Sequence, residues 1–156
     1  MPFTIHSPAF NHEANIPMQY TCDGADRSPA LSWSGTPPGT KTFALICDDP
    51  DAPTAQPWVH WVIYNIPPGT TSLAEGYPTT AKLQDGSVQG ISDFKKGGYG
   101  GPCPPPGHGV HRYFFKLYAL DAPINLDPGA TKTQLETAMK GHIVAQTMLM
   151  GRYERK

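Results

Sequence analysis

Long helices have little room in this chain, because 18 prolines and 16 glycines are distributed along its 156 residues. Together they make up about a fifth of the sequence, against an average usage near 12%. They do not gather into low-complexity tracts. They alternate with β-branched and aromatic runs, the pattern of a loop-rich β protein whose turns need the fixed φ of proline and the positive φ of glycine. Residues 42–48 (TFALICD), 58–66 (WVHWVIYNI) and 110–120 (VHRYFFKLYAL) read as strands, with shorter ones at 3–6 and 30–33. Turn chemistry fills the gaps, at Thr36-Pro37-Pro38-Gly39, Pro67-Pro68-Gly69, Asp85-Gly86 and from Gly97 to Gly109. One helix is expected from Thr131 to Lys140, with Thr131 as N-cap, Gln134 three residues on, and Gly141 as the stop. Residues 143–153 fit either a second helix or a strand, and their end, Met148 to Tyr153, reads as a strand. The sum is a single all-β domain over residues 1–156 with a minor helical part: an antiparallel β-sandwich with a helix near the C-terminus.

Charge narrows the function classes. The formal net charge is −1, and the densest basic group, Arg152, Arg155 and Lys156, is a tail. That is no nucleic-acid footprint. No apolar stretch reaches bilayer-spanning length. The N-terminus, Met1 to His6, has neither the basic nor the apolar region of a signal peptide. The three cysteines, Cys22, Cys47 and Cys103, are an odd count without a secretory signal. They predict reduced thiols in a cytoplasmic protein, although a mature chain with its signal already removed would read the same.

Three polar clusters interrupt the apolar strands. Asp48, Asp49 and Asp51 place three carboxylates within four residues directly after a strand; they repel one another unless something nearby offsets them. Taken alone, they are more simply a solvated turn with aspartate capping its own backbone. In Trp58-Val59-His60-Trp61, strand alternation puts Trp58, His60, Val62 and Tyr64 on one face and Val59, Trp61, Ile63 and Asn65 on the other. A histidine between two apolar faces must find a partner or line a cavity. The third cluster, Gly98 to Tyr113, is a stiff glycine- and proline-rich loop running into a strand that aligns His111, Tyr113 and Phe115. The chain carries no Gly-x-Ser-x-Gly elbow, no His-Glu-x-x-His, no Cys-x-x-Cys and no phosphate loop. It is therefore expected not to be an enzyme and to need no cofactor. The one enzymatic alternative is a metal site built from His60, His111 and Asp49.

The combination of Asp-Pro-Asp-Ala-Pro, Trp-x-His-Trp and the Gly-Pro-rich loop ending in His-Arg-Tyr resembles the phosphatidylethanolamine-binding protein family. It is most similar to the bacterial branch, often called Raf kinase inhibitor-like proteins. The resemblance covers nearly the whole chain, including Tyr20-Thr21-Cys22-Asp23-Gly24, Ser28 to Trp33 and the ending from Gly141 to Arg155. It implies a β-sandwich with a small pocket for phosphate-like anions or a phosphorylated head group. Position by position, it assigns to that pocket Asp49, Asp51, Pro53, Trp58, His60, Pro105, His111 and Tyr113. Asp49 would orient a histidine. A small anionic ligand is the implied partner; a protein partner, as for a regulator of a kinase or protease, and a homodimer are compatible with the same fold.

Further expectations follow from the resemblance. A cis bond at Ala52-Pro53 would fold the acidic loop back and bring Asp49 toward His60. Cys22 and Cys103 would be neighbours, with both thiols reduced and Cys47 buried. Ser92 stands where the bacterial branch usually has Asn, and Lys95 where Gly is usual, both beside the pocket loop.

Overall fold

A computed structural model describes residues 2–156. In chain order the elements are β1 (Thr4–His6), a 3-10 turn (Met18–Tyr20), β2 (Leu31–Ser34), β3 (Thr42–Asp49), β4 (Trp58–Ile66), β5 (Ser72–Leu73), β6 (Val88–Gln89), β7 (His111–Leu120), α1 (Lys132–Met139) and β8 (Ile143–Tyr153). A small sheet, β1-β2-β5, faces a large one, β6-β4-β3-β7-β8, and all their pairings are antiparallel. The all-β reading with one late helix holds. Thr131 caps α1 as expected, exchanging hydrogen bonds with Gln134 in a capping box. The ambiguous C-terminal segment is a strand over its whole length, because β7 pairs with it from His111↔Tyr153 to Leu120↔Ile143.

The large sheet is buried on both faces. Trp33 and Leu31 of the small sheet pack against Phe43, Leu45, Trp61, Phe115 and Leu117 in the sandwich interior. On the other face, Ala44, Ile46, Val62, Tyr64 and Tyr118 are covered by Leu135 and Met139 of α1. Every residue of β3 is consequently buried. That explains why its sequence is a continuous apolar run instead of an alternating one.

The alternation expected for β4 breaks down at one residue. Cys47 pairs with Trp61 and Asp48 with Val59, leaving His60 as the extra residue of a β-bulge. Trp61 and Ile63 therefore face the sandwich interior, while Val59, Val62 and Tyr64 face α1. His60 joins the interior side, its ring 5.1 Å from that of Tyr113. A second irregularity lies between Phe43↔Ile66 and Leu45↔Ile63. There Asn65 takes φ of +56° and its amide holds Ile124 through both N–H and C=O.

Two backbone expectations are corrected. Ala52-Pro53 is trans, as is every peptide bond among the described residues. Asp49 needs no loop reversal, because it ends β3 next to β7 and reaches His111 there, not His60. Cys22 and Cys103 are neighbours as expected, but they are joined by a disulfide. Cys47 is free and buried. With two of the three cysteines paired, the odd count loses its argument for a reducing cytoplasm. No helix among the described residues is long and apolar enough to cross a membrane.

The disulfide spans 81 residues, a separation for which the chain-entropy account gives a stabilisation on the order of 4 kcal/mol. Thiol titration in denaturant should find one reactive thiol per chain before reduction and three after it, and reduction should lower the thermal midpoint. Three thiols without reductant would show that the bond does not form.

Candidate functional site

Asp48, Asp49 and Asp51 do not repel one another across a shared turn, because each points elsewhere. Asp48, on the α1 side of the sheet, accepts from Lys116 at 3.1 Å and Lys132 at 2.7 Å. Asp49 takes Nδ1–H of His111 on Oδ2 at 2.6 Å and the backbone N–H of Asp51 on Oδ1 at 2.8 Å. It is a self-capping turn residue and a histidine partner at once. Asp51 forms a bidentate pair with Arg112, both contacts at 2.9 Å, and also accepts the Arg112 backbone N–H. Arg112 holds the Asp51 carboxyl below its ordinary range.

A cavity of about 240 Å³ opens where β3, β4 and β7 begin or end on the same edge. Asp49, His60, His111 and Tyr113 form its polar floor, and Pro53, Trp58, Phe94, Pro104 and Pro105 are among its walls. Seven of the eight residues assigned by resemblance therefore come together. Asp51 does not line the cavity; it ties the loop after β3 to β7 through Arg112. Phe94, Cys103 and Pro104 line it without having been expected. The sequence offered no signal for Phe94 beyond an aromatic residue beside Ser92 and Asp93. His108, just outside, holds its Nδ1 2.7 Å from Nε2 of His111, and only its place within Gly-His-Gly could have pointed to it. Among the described residues no group of three or more His, Cys, Asp or Glu is placed to hold a metal ion.

Gly100 brackets the bulged histidine. Its N–H donates to the His60 carbonyl at 2.9 Å, and its carbonyl accepts Nδ1–H of His60 at 2.6 Å. That tautomer leaves Nε2 as the second polar position of the ring. Burial depresses the pKa of His60 below its usual value, only partly opposed by the Gly100 carbonyl and by Asp49. The Tyr113 hydroxyl is buried without a hydrogen-bond partner. Burial first, and the nearby Asp49 charge second, raise its pKa well above the ordinary tyrosine value, which favours the phenol.

The loop that carries one wall is pinned at several points. Its Cys103 bonds to Cys22, Cys22 N–H donates to the Pro102 carbonyl, and Tyr99 donates its hydroxyl to the Tyr20 carbonyl. At Gly101 a Cβ would lie 2.2 Å from the Tyr20 carbonyl oxygen, so only glycine allows the two segments to approach this closely. The two departures from the family pattern now have a physical reading. Ser92 is buried and closes a short turn, accepting from Phe94 N–H and donating to the Lys96 carbonyl. Lys95 sits at φ +63°, the left-handed region in which glycine is unstrained. Neither residue lines the cavity.

The fold and site define a two-sheet antiparallel β domain with an apolar-walled pocket over two imidazoles and a buried phenol. The phosphatidylethanolamine-binding protein profile matches residues 6–154, and the chain belongs to that family. A UPF0098 protein of Methanothermobacter thermautotrophicus is 55% identical over 151 residues, covering 97% of this chain and 98% of the relative. One of Aquifex aeolicus is 49% identical over 152 residues, covering 97% and 88%. Among solved structures, a phosphatidylethanolamine-binding protein homologue of Chlamydia trachomatis superposes with a TM-score of 0.88 at 41% identity, covering 99% and 98%. YbcL of E. coli, described as a member of the mammalian PEBP family, gives 0.89 at 34%, covering 99% of each chain.

Two outcomes follow. A folded-state pKa below the unfolded value means that the unfolded chain binds more protons, so His60 should destabilise the fold as pH drops below about 6.5. Urea denaturation between pH 7.5 and 5.5 should show this loss, and a shallower one in His60→Gln; identical slopes would remove His60 as the cause. For Lys95→Gly, relief of a left-handed penalty of about 1–2 kcal/mol is offset in part by about 0.4–1 kcal/mol of unfolded-chain freedom. The variant should be more stable by roughly 0.5 kcal/mol in the same assay, and a loss of stability would contradict the strain argument.

Proposed function

We propose that this chain is a binding protein for a small anion, phosphate or a phosphorylated head group, held between His60, His111 and Tyr113. The observation that carries the reading is the Tyr113 hydroxyl, buried and without a partner at the floor of an open pocket. A buried donor without an acceptor costs about 1–3 kcal/mol, and an anionic oxygen supplies the acceptor. Around it the apolar walls lower the local dielectric and strengthen each hydrogen bond formed.

The proton inventory shapes what can bind. Tyr113 donates at any pH in the physiological range. Neutral His60, with Nδ1–H committed to Gly100, offers a lone pair at Nε2 and becomes a donor there only when protonated. A phosphate monoester loses its second proton near pH 6, so it can arrive as a monoanion and donate that proton to His60. Among the described residues no lysine or arginine lines the cavity, and Asp49 brings a negative charge to its floor. Binding should therefore be weak and coupled to proton uptake. The reading is of a ligand-binding rather than a catalytic protein: the residues present a donor, a proton acceptor and a carboxylate–imidazole pair, and the Thr54 hydroxyl at the lining donates to the Gln56 carbonyl instead of to a base.

Calorimetric titration of inorganic phosphate in buffers of different ionisation enthalpy tests this. Affinity should rise as pH falls from about 8 to about 6, by at most about tenfold per unit for one coupled proton, with net proton uptake. His60→Ala and Tyr113→Phe should weaken binding, and His6→Ala, on β1, should not. Binding that is independent of pH, or unaffected by both pocket variants, would exclude this site.

A further inference from the structure

His111 has no ring nitrogen to spare. Nδ1 faces Oδ2 of Asp49 at 2.6 Å, and Nε2 faces Nδ1 of His108 at 2.7 Å. Yet His111 is the floor residue whose Nε2 an anion in the pocket would need, and one ring nitrogen serves one partner at a time. The two rings meet edge to face, with centroids 4.9 Å apart. They differ in freedom: His111 is 1% exposed, whereas His108 belongs to the exposed rim.

The backbone at His108 is held at two points, while its side chain makes one hydrogen bond, to His111. Gly107 N–H donates to the Arg155 carbonyl at 2.9 Å and His108 N–H to that of Pro105 at 3.1 Å. The flanking Gly107 and Gly109 have φ of +78° and +92°, and a Cβ at either would meet nothing within 4 Å. His108 is exposed and bonded to His111 alone through its side chain, so the imidazole leaves by rotation about its own side-chain bonds, a motion that is fast in exposed residues.

We propose that His108 is the displaceable stopper of the anion site: it occupies Nε2 of His111 when no anion is bound, and it swings out when His111 takes an anion. The inference rests on the anion-binding reading above and adds to it the residue that sets the affinity. With Nδ1–H of His111 given to Asp49, Nε2 accepts Nδ1–H of His108. In the exchange His108 leaves as a neutral ring with that proton, and Nε2 of His111 meets the O–H that a phosphate monoanion brings with it. One N–H···N contact is given up and one O–H···N contact is made. Asp51, in the loop after β3, and Arg112, next in the chain to His111, satisfy each other.

The test is calorimetric titration of inorganic phosphate at pH 6.5 into the wild type and His108→Ala, with ¹⁵N NMR of the ring nitrogens in both. Removing a competing hydrogen bond should tighten phosphate binding by roughly three- to tenfold. The His111 Nε2 resonance should move on phosphate addition in the wild type, and should already be displaced in ligand-free His108→Ala. Phosphate binding by His108→Ala alone would also support the stopper. Equal or weaker binding by His108→Ala, or a wild-type complex in which the His108–His111 contact persists, overturns this inference and leaves the anion site standing. Binding by neither protein overturns both. His108 is exposed, so the variant should retain the wild-type thermal midpoint, which verifies that any change comes from the site.

Discussion

Asp48, Asp49 and Asp51 leave the end of β3 in three directions, and each meets a different positive or proton-bearing partner. Successive strand residues face opposite sides of a sheet, so Asp48 falls under α1 with Lys116 and Lys132 while Asp49 falls on the pocket side with His111. Asp51, past the strand, reaches sideways to Arg112. A run that would be self-repelling in an open turn becomes three separate contacts. Through them β3 holds the first turn of the helix, the start of β7 and the loop that walls the pocket. A carboxylate as buried as Asp48 is a weak source of net stability, because desolvation offsets much of the attraction. Its effect is geometric: it allows one register of helix on sheet.

The second determinant is the bulge at His60. An unbroken β4 would place His60 with Val62 and Tyr64 against the helix, away from His111 and Tyr113. One extra residue turns His60 to the sandwich side at the sheet's edge, leaves its carbonyl unpaired by β3, and lets Gly100 satisfy both that carbonyl and Nδ1–H. The site is a by-product of irregular pairing next to regular pairing, which is where bulges commonly re-aim a side chain. Its chemistry is correspondingly mild. It holds one fixed donor, one imidazole whose pKa burial lowers and one imidazole tied to a carboxylate.

The sequence by itself determined the composition-driven β class, the limits of β4 at Trp58 and Ile66, the capping box of α1 and the family, because these rest on local chemistry: turn residues, β-branched runs, a cap three residues from its partner, and motifs of fixed spacing. It also named most of the pocket, since motif positions carry over one by one. Tertiary structure alone decided which way those residues face. The bulge depends on how β4 pairs with a strand distant in sequence, so two-residue alternation misplaced His60 relative to Val62. Asp51 left the pocket because Arg112 holds both its carboxylate oxygens on β7. Cys22 and Cys103 are joined because the loop from Gly100 to Cys103 lies against Tyr20 to Cys22, a proximity set by Gly101 having no side chain. His108 entered the account only when folding brought it within hydrogen-bond reach of His111. Periodicity and motif spacing report what the chain presents within a few residues; contacts made across a sheet edge are fixed by packing and hydrogen-bond satisfaction, which no local pattern encodes.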